Sequence, residues 1–335
     1  MATTRISDVI VPPIFNPYVI QRTMELSALF SSGVILPDPE IQGLAQGAAS
    51  YFDMPYFSDL GNTESNIGSD DPAVKSTPQK IGTNKDMAQK HFRNNSWSSM
   101  DLTSALLAKD PMNVIADLVA GYWARDLQRT LIGSLNGVIA SNVANNSSDM
   151  LLDVSLPGAG TPGASNKISA NVVLGAKQTM GDAAGGLTAI AMHSILYTAL
   201  QNQQLITFIP NARGEVNIPT YLGYTVIVDD GCPVTMNNGN PVYTSFMFGR
   251  GAVGYGEGSP KVATETIRDP AAGNGEGQET LFQRKHYVMH PRGIKFLRAS
   301  MAGISPTNAE LAAAANWLRV YERKAVRFVA IKTNG

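Results

Sequence analysis

The sequence predicts a mixed fold of helices and strands in which one long stretch has no core of its own. Three features carry that expectation. A single helix of about 30 residues, about 45 Å long, is written between Asp110 and Ser141. A strongly polar run from Ser58 to Ser96 precedes it, nearly without large apolar residues. From Gly185 onward, short apolar runs alternate with helical patterns, giving a mixed α/β unit.

Taken in order, residues 1–50 read as an arm. Asn16-Pro17 opens a short helix, YVIQRTMELSALF, that Gly33 closes, and Pro37 and Pro39 keep the following chain extended. Aromatic residues gather from Tyr51 to Phe57, and then the polar run begins. That run cannot bury enough apolar area to offset its ordering entropy. Segments of such length usually reach toward a partner or stay disordered.

For the long helix, Asp110 suits the N-cap, and Pro111 suits the first helical position, where its missing N–H has no partner to lose. Ile115, Val119, Trp123, Leu127, Leu131, Leu135 and Ile139 follow at every fourth residue. Each such step overshoots a full turn by about 40°, so the apolar stripe winds around the helix. Different neighbours must therefore cover it along its length, which describes a structural spine.

Ser147 to Asn166 is rich in Gly, Pro and Ser and reads as a connector, followed by a helix from Ser169 to Met180. Gly185-Gly186 precede a strand LTAIAM, a helix HSILYTALQNQ and a strand LITFIP. TYLGYTVIVDDG and VYTSFMFGRGAVGYG read as further strands. VATETIRD and TLFQRKHYVMH flank PAAGNGEGQE as the arms of a hairpin. Thr307 with Glu310 forms a capping box for a helix AELAAAANWL, and AVRFVAIK finishes as a strand.

Composition narrows the function. The 335 residues are only 16% charged, below the roughly 25% of ordinary soluble domains, which suggests that much of the surface ends against other protein. A net charge of −1 argues against a dedicated nucleic-acid reader with a basic face. No apolar run approaches the length of a membrane span, and MATTRISDVIVPP has no hydrophobic signal core, so neither a membrane segment nor a secretory leader is expected. Cys232 is the single cysteine, which excludes an intrachain disulfide and fits a reducing cytosol.

Several motifs resemble chemistry and are better explained otherwise. Gly249 to Gly254 spells GxGxxG, but Tyr255-Gly256-Glu257-Gly258-Ser259-Pro260 cannot supply the helix whose N-terminus would carry a pyrophosphate. A glycine-rich strand packed closely on a neighbour is the better reading. His286 and His290 have a metal-ligand spacing only on a helix; on the strand RKHYVMHP they stand roughly 13 Å apart, and His91 and His193 are the only other histidines. Asp229-Asp230-Gly231-Cys232 could be carboxylates beside a nucleophile, yet a strand-ending turn and a buried thiol explain it. Trp97, Tyr122, Trp123 and Trp317, scattered over helices without interleaved cations, suit core or interface packing better than base stacking. No catalytic, cofactor-binding or metal-binding residue is assigned, and no cofactor is expected.

The arm IVPPIFNPYVIQRTMELSALFSSGVI, the spine DPMNVIADLVAGYWARDLQRTLIGSLNGV and the block HSILYTALQNQQLITFIP…IPTYLGYTVIVDDG together resemble tailed-bacteriophage major capsid proteins. FMFGRGAVGYGEG, RKHYVMHPRGIKF and SPTNAELAAAANWLRVYERKAVRFVAI extend the resemblance, in order, over nearly the whole chain. It implies the α+β, Hong Kong ninety-seven-type capsid fold. On that resemblance, residues 1–50 are the N-terminal arm and 51–100 the extended E-loop. Residues 101–184 are the P domain, with its spine helix at about 110–141, and 185–258 the A domain. Residues 259–298 return as a P-domain hairpin, and 299–335 are a C-terminal helix and strand closing on the A domain.

The resemblance further implies a shell subunit, made in the bacterial cytoplasm and resident in the virion, that forms pentamers and hexamers around double-stranded DNA. A separate scaffolding protein and a portal protein are the implied partners, with a decoration protein as an optional one, and with no membrane. DNA contact would be non-specific and weak per subunit, given the near-zero net charge. Some such proteins crosslink through a Lys and an Asn. Lys75, Lys80, Lys85 and Lys90 lie in or near the polar run, but nothing places an Asn and a carboxylate beside one, and no crosslink is assigned. The rival readings are an encapsulin-like compartment shell and a cytosolic hydrolase using Asp229, Asp230 and Cys232.

Overall fold

The computed structural model describes residues 33–58, 60, 63–102, 111–210 and 217–335, with the side chains of 111–117, 209, 210, 217 and 218 left out. The helix expected before Gly33 and the Asp110 cap lie outside these residues. The described chain begins with a short strand β1 (Ile35–Pro37), as the prolines imply. Pro39 then opens a helix α1 (Pro39–Gln46) in place of the expected extended segment. Asp38 caps it by accepting from the Glu40 N–H at 3.0 Å, and Pro39 sits at the first helical position.

Strands β2 (Tyr51–Phe57) and β3 (Thr83–Met100) form an antiparallel pair from Tyr51↔Gln89 to Phe57↔Thr83. The polar run is therefore shorter than the sequence suggests. Its second half, from Thr83, is an 18-residue strand whose residues Asp86 and Ala88 to His91 are buried. The long helix α2 (Pro111–Asn145) is already helical at Pro111, the first residue described there, and continues four residues past Ser141. Beyond it, the connector contains a strand β4 (Leu151–Asp153) that the sequence does not announce.

Helix α3 (Ala170–Gln178), strand β5 (Leu187–Met192), helix α4 (Ser194–Asn202) and strand β6 (Thr207–Pro210) follow the expected order. TYLGYTVIVDDG lies across a hairpin of β7 (Asn217–Tyr221) and β8 (Tyr224–Val228). Next come β9 (Val234–Asn237), β10 (Asn240–Gly249) and β11 (Val253–Gly258). The hairpin around PAAGNGEGQE forms as expected, from β12 (Thr264–Asp269) and β13 (Gln278–Pro291). Strand β14 (Ile294–Phe296) precedes helix α5 (Asn308–Ala312), where Thr307 and Glu310 make the expected capping box. That helix is much shorter than AELAAAANWL: a 3₁₀ turn follows, and Trp317 begins strand β15 (Trp317–Arg319), which pairs with β14. Strand β16 (Phe328–Thr333) ends the chain.

Among the described residues these strands form two larger sheets. One runs β1-β11-β13-β3-β2, with β12 on β13; the other runs β4-β16-β10-β5-β8-β7-β6, with β9 on β10. The central strands β16, β10 and β5 of the second sheet are buried on both faces, and the period of two decides what goes where. Phe246 and Phe248 of β10 with Phe328 and Ala330 of β16 face a core shared with α2. Met247, Val329 and Ile331 face a second core under α3 and α4, with Val173 and Leu196. Helix α1 lies on the other sheet, its Ile41 and Ala45 packed with Phe52, Ala88 and Val288.

The winding stripe of α2 is covered in stages, as expected. Near its start Tyr122 meets Trp97 of β3, and Trp123 donates its indole N–H to Gln283 of β13 at 2.5 Å. Midway, Tyr287 of β13 donates to Thr130 at 3.3 Å. Toward its end Ser141 donates to the Trp317 carbonyl at 2.6 Å, and Asn142 accepts from the Met150 N–H at 3.0 Å.

Candidate assembly interface

Among the described residues, the part with least use for itself is the stretch from Ser58 to Gly82. Its ends are held together, with the Ser58 N–H donating to the Gly82 carbonyl at 2.8 Å. Every described residue from Thr63 to Gly82 is exposed. Apolar side chains are included: Ile67 is 86% exposed, with Phe57, Leu60, Val74 and Ile81 also bare. Within it a local turn forms, where the Asp71 side chain accepts from the Ala73 N–H at 2.8 Å and the Asp71 N–H donates to the Ser69 hydroxyl at 3.1 Å.

The root of this excursion is firmly built. Tyr51 donates to the Phe296 carbonyl at 2.6 Å, Tyr56 to the Val320 carbonyl at 2.8 Å, and the Tyr56 ring meets Tyr321 edge-on. Burial raises both the Tyr51 and the Tyr56 phenols above their ordinary pKa. Lys85 and Asp53 pair across β2 and β3 at 2.8 Å. Further along β3, Gln89 donates to the Ile304 carbonyl at 2.9 Å, and Arg93 reaches both the Pro306 carbonyl and Asn308 at 2.9 Å. A rigid strand thus carries a bare, partly apolar loop away from the body.

Polar residues that the sequence reading took for loop are the buried fixings of that strand. Asp86 accepts from His290 at 2.9 Å and from the N–H groups of Gly293 and Met87, both at 2.9 Å. Burial works against its charge, but the His290 contact and these hydrogen bonds outweigh it and hold the carboxyl below the usual range. His91 stacks on Tyr287 at 5.0 Å and is pushed down to about 3 by burial, with Arg93 and His290 adding to the effect. Lys285 pairs with Glu257 at 3.3 Å, and Lys90 donates to the Gly47 carbonyl at 3.0 Å. No hydropathy signal marks these residues, because each is buried through a partner distant in sequence.

The residues that looked like chemistry are placed as follows. The GxGxxG stretch leads from β10 through a turn into β11, with no helix after it. A Cβ at Gly256 or Gly258 would strike the backbone of α1 at Ile41 or Ala45, so the glycines let that helix lie directly on the strand. His290 is bonded to Asp86, whereas His286 meets Phe92 edge-on, so the two do not converge. No group of three or more His, Cys, Asp or Glu that could hold a metal ion occurs among the described residues.

Cys232 is buried, and burial first, then the Asp229 and Asp230 carboxylates, push its thiol far up. Asp229 accepts from the Gly231 N–H at 2.7 Å and closes its own turn, whereas Asp230 accepts from the Ser194 N–H at 3.0 Å at the start of α4, so both carboxylates hold backbone. Trp97 and Trp317 lie on strands, not helices. Trp97, Tyr122 and Trp123 form an edge-to-face chain, and Trp317 packs on Phe296 and donates to the Leu311 carbonyl at 2.7 Å. No helix among the described residues is long and apolar enough to cross a membrane.

Residues 56–326 match the family described as Gp13-like, major capsid protein 13-like. The chain belongs to this family of major capsid proteins. It is 44% identical over 335 residues to the major capsid protein of Bacillus phage SPP1, covering 99% of this chain and 98% of that one. The capsid of Ralstonia phage GP4 has the same fold at 11% identity, with a TM-score of 0.61 over 91% of this chain and 88% of that one. The capsid of cyanophage Pam1 gives 0.51 at 12% identity, over 87% and 86%. The fold is thus the capsid fold that the sequence resemblance implied, and the place of this protein is the phage capsid. Among the described residues of this capsid protein, the excursion from Ser58 to Gly82, its Ile67 bare in the single chain, is the feature that most needs a second molecule.

Proposed function

We propose that the chain is the shell subunit of a tailed bacteriophage, assembling into pentamers and hexamers that close as an icosahedral container around double-stranded DNA. The bare loop carried by β2 and β3 supports this reading best, because its apolar residues gain burial only against another copy. In closed symmetry every copy gives and receives the same contacts, so many modest interfaces sum to a strong wall.

The same reading divides the chain into an arm (1–50), an E-loop (51–100), a P domain (101–184), an A domain (185–258), a P-domain hairpin (259–298) and a C-terminal closure (299–335). Residues 299–335 have two attachments that bear on the last of these. Helix α5 and Trp317 pack on the spine α2, and β16 pairs with β10 in the larger sheet. The work is done by interfaces and not by catalysis, a reading supported by the sealed Cys232 thiol and by the backbone-holding roles of Asp229 in its turn and Asp230 at the start of α4. A separate scaffolding protein and a portal complete the assembly, with room for a decoration protein, and contact with DNA is weak and non-specific.

The test is to replace the residues between Ser58 and Gly82 with a two-residue Asn-Gly turn, which their hydrogen-bonded ends permit. The shortened subunit is expected to unfold at the temperature of the full chain and to form no shells. Normal shells from it would contradict the proposal.

A further inference from the structure

Three turns from distant parts of the chain meet around a cavity of about 770 Å³. Arg250 comes from the turn between β10 and β11, Arg292 from the turn between β13 and β14, and Lys324 and Arg327 from the segment before β16. Backbone hydrogen bonds lock the turns together: Gly249 N–H to the Arg327 carbonyl at 2.9 Å, and Arg292 N–H to the Ala252 carbonyl at 3.1 Å. Two of the cations have acidic partners, Arg292 with Asp38 and Lys324 with Asp182. Arg250 and Arg327 have none among the described residues. The walls between them are apolar, including Leu36, Ala252 and the Tyr321 ring.

A cationic, apolar-walled cavity suits an acidic peptide that carries a large aliphatic residue better than it suits a sugar-phosphate backbone. The chain contains such a peptide. Between Ser58 and Val74 the sequence has four carboxylates and no cation. Glu64, Asp70 and Asp71 flank Ile67 within its exposed part, and none has an ionic partner among the described residues. We propose that residues 63–74 of one copy dock in this cavity of a second copy, with Ile67 on the apolar wall and Glu64 and Asp70 against Arg250 and Arg327. This rests on the shell-subunit reading and names the surface on which its bare loop lands. Although Tyr56 touches Tyr321 at the cavity's edge, the loop leaves its own cavity open.

The test is charge reversal in the full-length chain. One variant carries Arg250→Glu and Arg327→Glu. The other carries Glu64→Lys and Asp70→Lys, sparing Asp71 because its side chain closes a turn. All four positions are exposed, so each purified subunit should unfold at the wild-type temperature. Each variant alone is expected to lose shell yield by about tenfold or more, since like charges then face each other. A chain with all four changes should recover, and co-expression of the two variants should give mixed rings containing both. Normal shells from the first variant would overturn the docking, as would failure of the four-fold variant to recover. Recovery of the four-fold variant without mixed rings would place the contact within one chain and overturn it too. Shells from the first variant that form normally but retain less DNA would make nucleic acid the occupant, again against the proposal. If the wild-type chain yields no rings or shells in any condition, the shell reading itself fails and the docking with it.

Discussion

The Trp317 indole lies against the backbone of Gly137, so close that a methyl group there would overlap both the ring and the Leu311 carbonyl that the indole N–H bonds. This contact brings the C-terminal segment onto the spine. Gly137→Ala is therefore expected to destabilise the monomer by about 3 kcal/mol or more, in spite of alanine's better helix propensity. Gly121→Ala, in the same helix, meets only the flexible end of Arg125 at 3.4 Å. It should stabilise by up to about 1 kcal/mol. Urea denaturation of the two variants checks the pair, and equal effects would contradict the packing described.

Trp123 and Gln283 form the matching contact at the other end of the spine. Trp123→Phe leaves the buried Gln283 oxygen without its donor and should cost about 1–3 kcal/mol. Adding Gln283→Leu removes the stranded polar group. The double variant is then expected to be more stable than Trp123→Phe alone, as chemical denaturation would read.

His91 gives a pH dependence with a definite sign. Its imidazole titrates at about 3 in the folded chain, against about 6.5 when unfolded. A depressed folded pKa means that the unfolded chain takes the proton first. The contribution is complete above about pH 6.5 and shrinks by up to about 1.4 kcal/mol per unit as pH falls toward 3. His286, half-buried and also lowered by burial and Lys90, adds in the same direction. His91→Phe keeps the stack on Tyr287 and removes the titration. Between pH 6.5 and 4.5, where Asp86 stays ionised, it should lose less stability than the wild type. Parallel curves would contradict the buried, neutral assignment.

Cys232→Ala should leave shell assembly intact and cost about 1 kcal/mol of monomer stability, the effect of a small core truncation. In the wild type, a thiol reagent is expected to react only as the chain unfolds. Loss of function at unchanged stability would restore the case for a nucleophile.

Elements whose own residues carry the signal were legible in the sequence. The fourfold spacing of the spine, the Thr307–Glu310 capping box and the Gly-rich turn between β12 and β13 are local, and each stands where expected. Strand β3 was not legible. Its buried residues Asp86, Gln89, Lys90 and His91 are polar, and their partners His290, Ile304, Gly47 and Tyr287 come from other segments. Strand β4 was hidden for a related reason: it is three residues long and exists through parallel pairing with β16. Pro39 suggests extended chain yet opens α1, because the choice depends on Asp38 acting as a cap. The cationic cavity could not be read at all, since its four cations come from three turns that only the folded sheets bring together.

The most direct measurement is negative-stain electron microscopy of the purified chain, expressed alone and with a candidate scaffolding protein. Capsomer rings, tubes or closed shells in either sample are the predicted result. A uniform monomer or dimer in both, over a range of salt and protein concentration, would contradict the assignment of this chain as a self-assembling shell subunit.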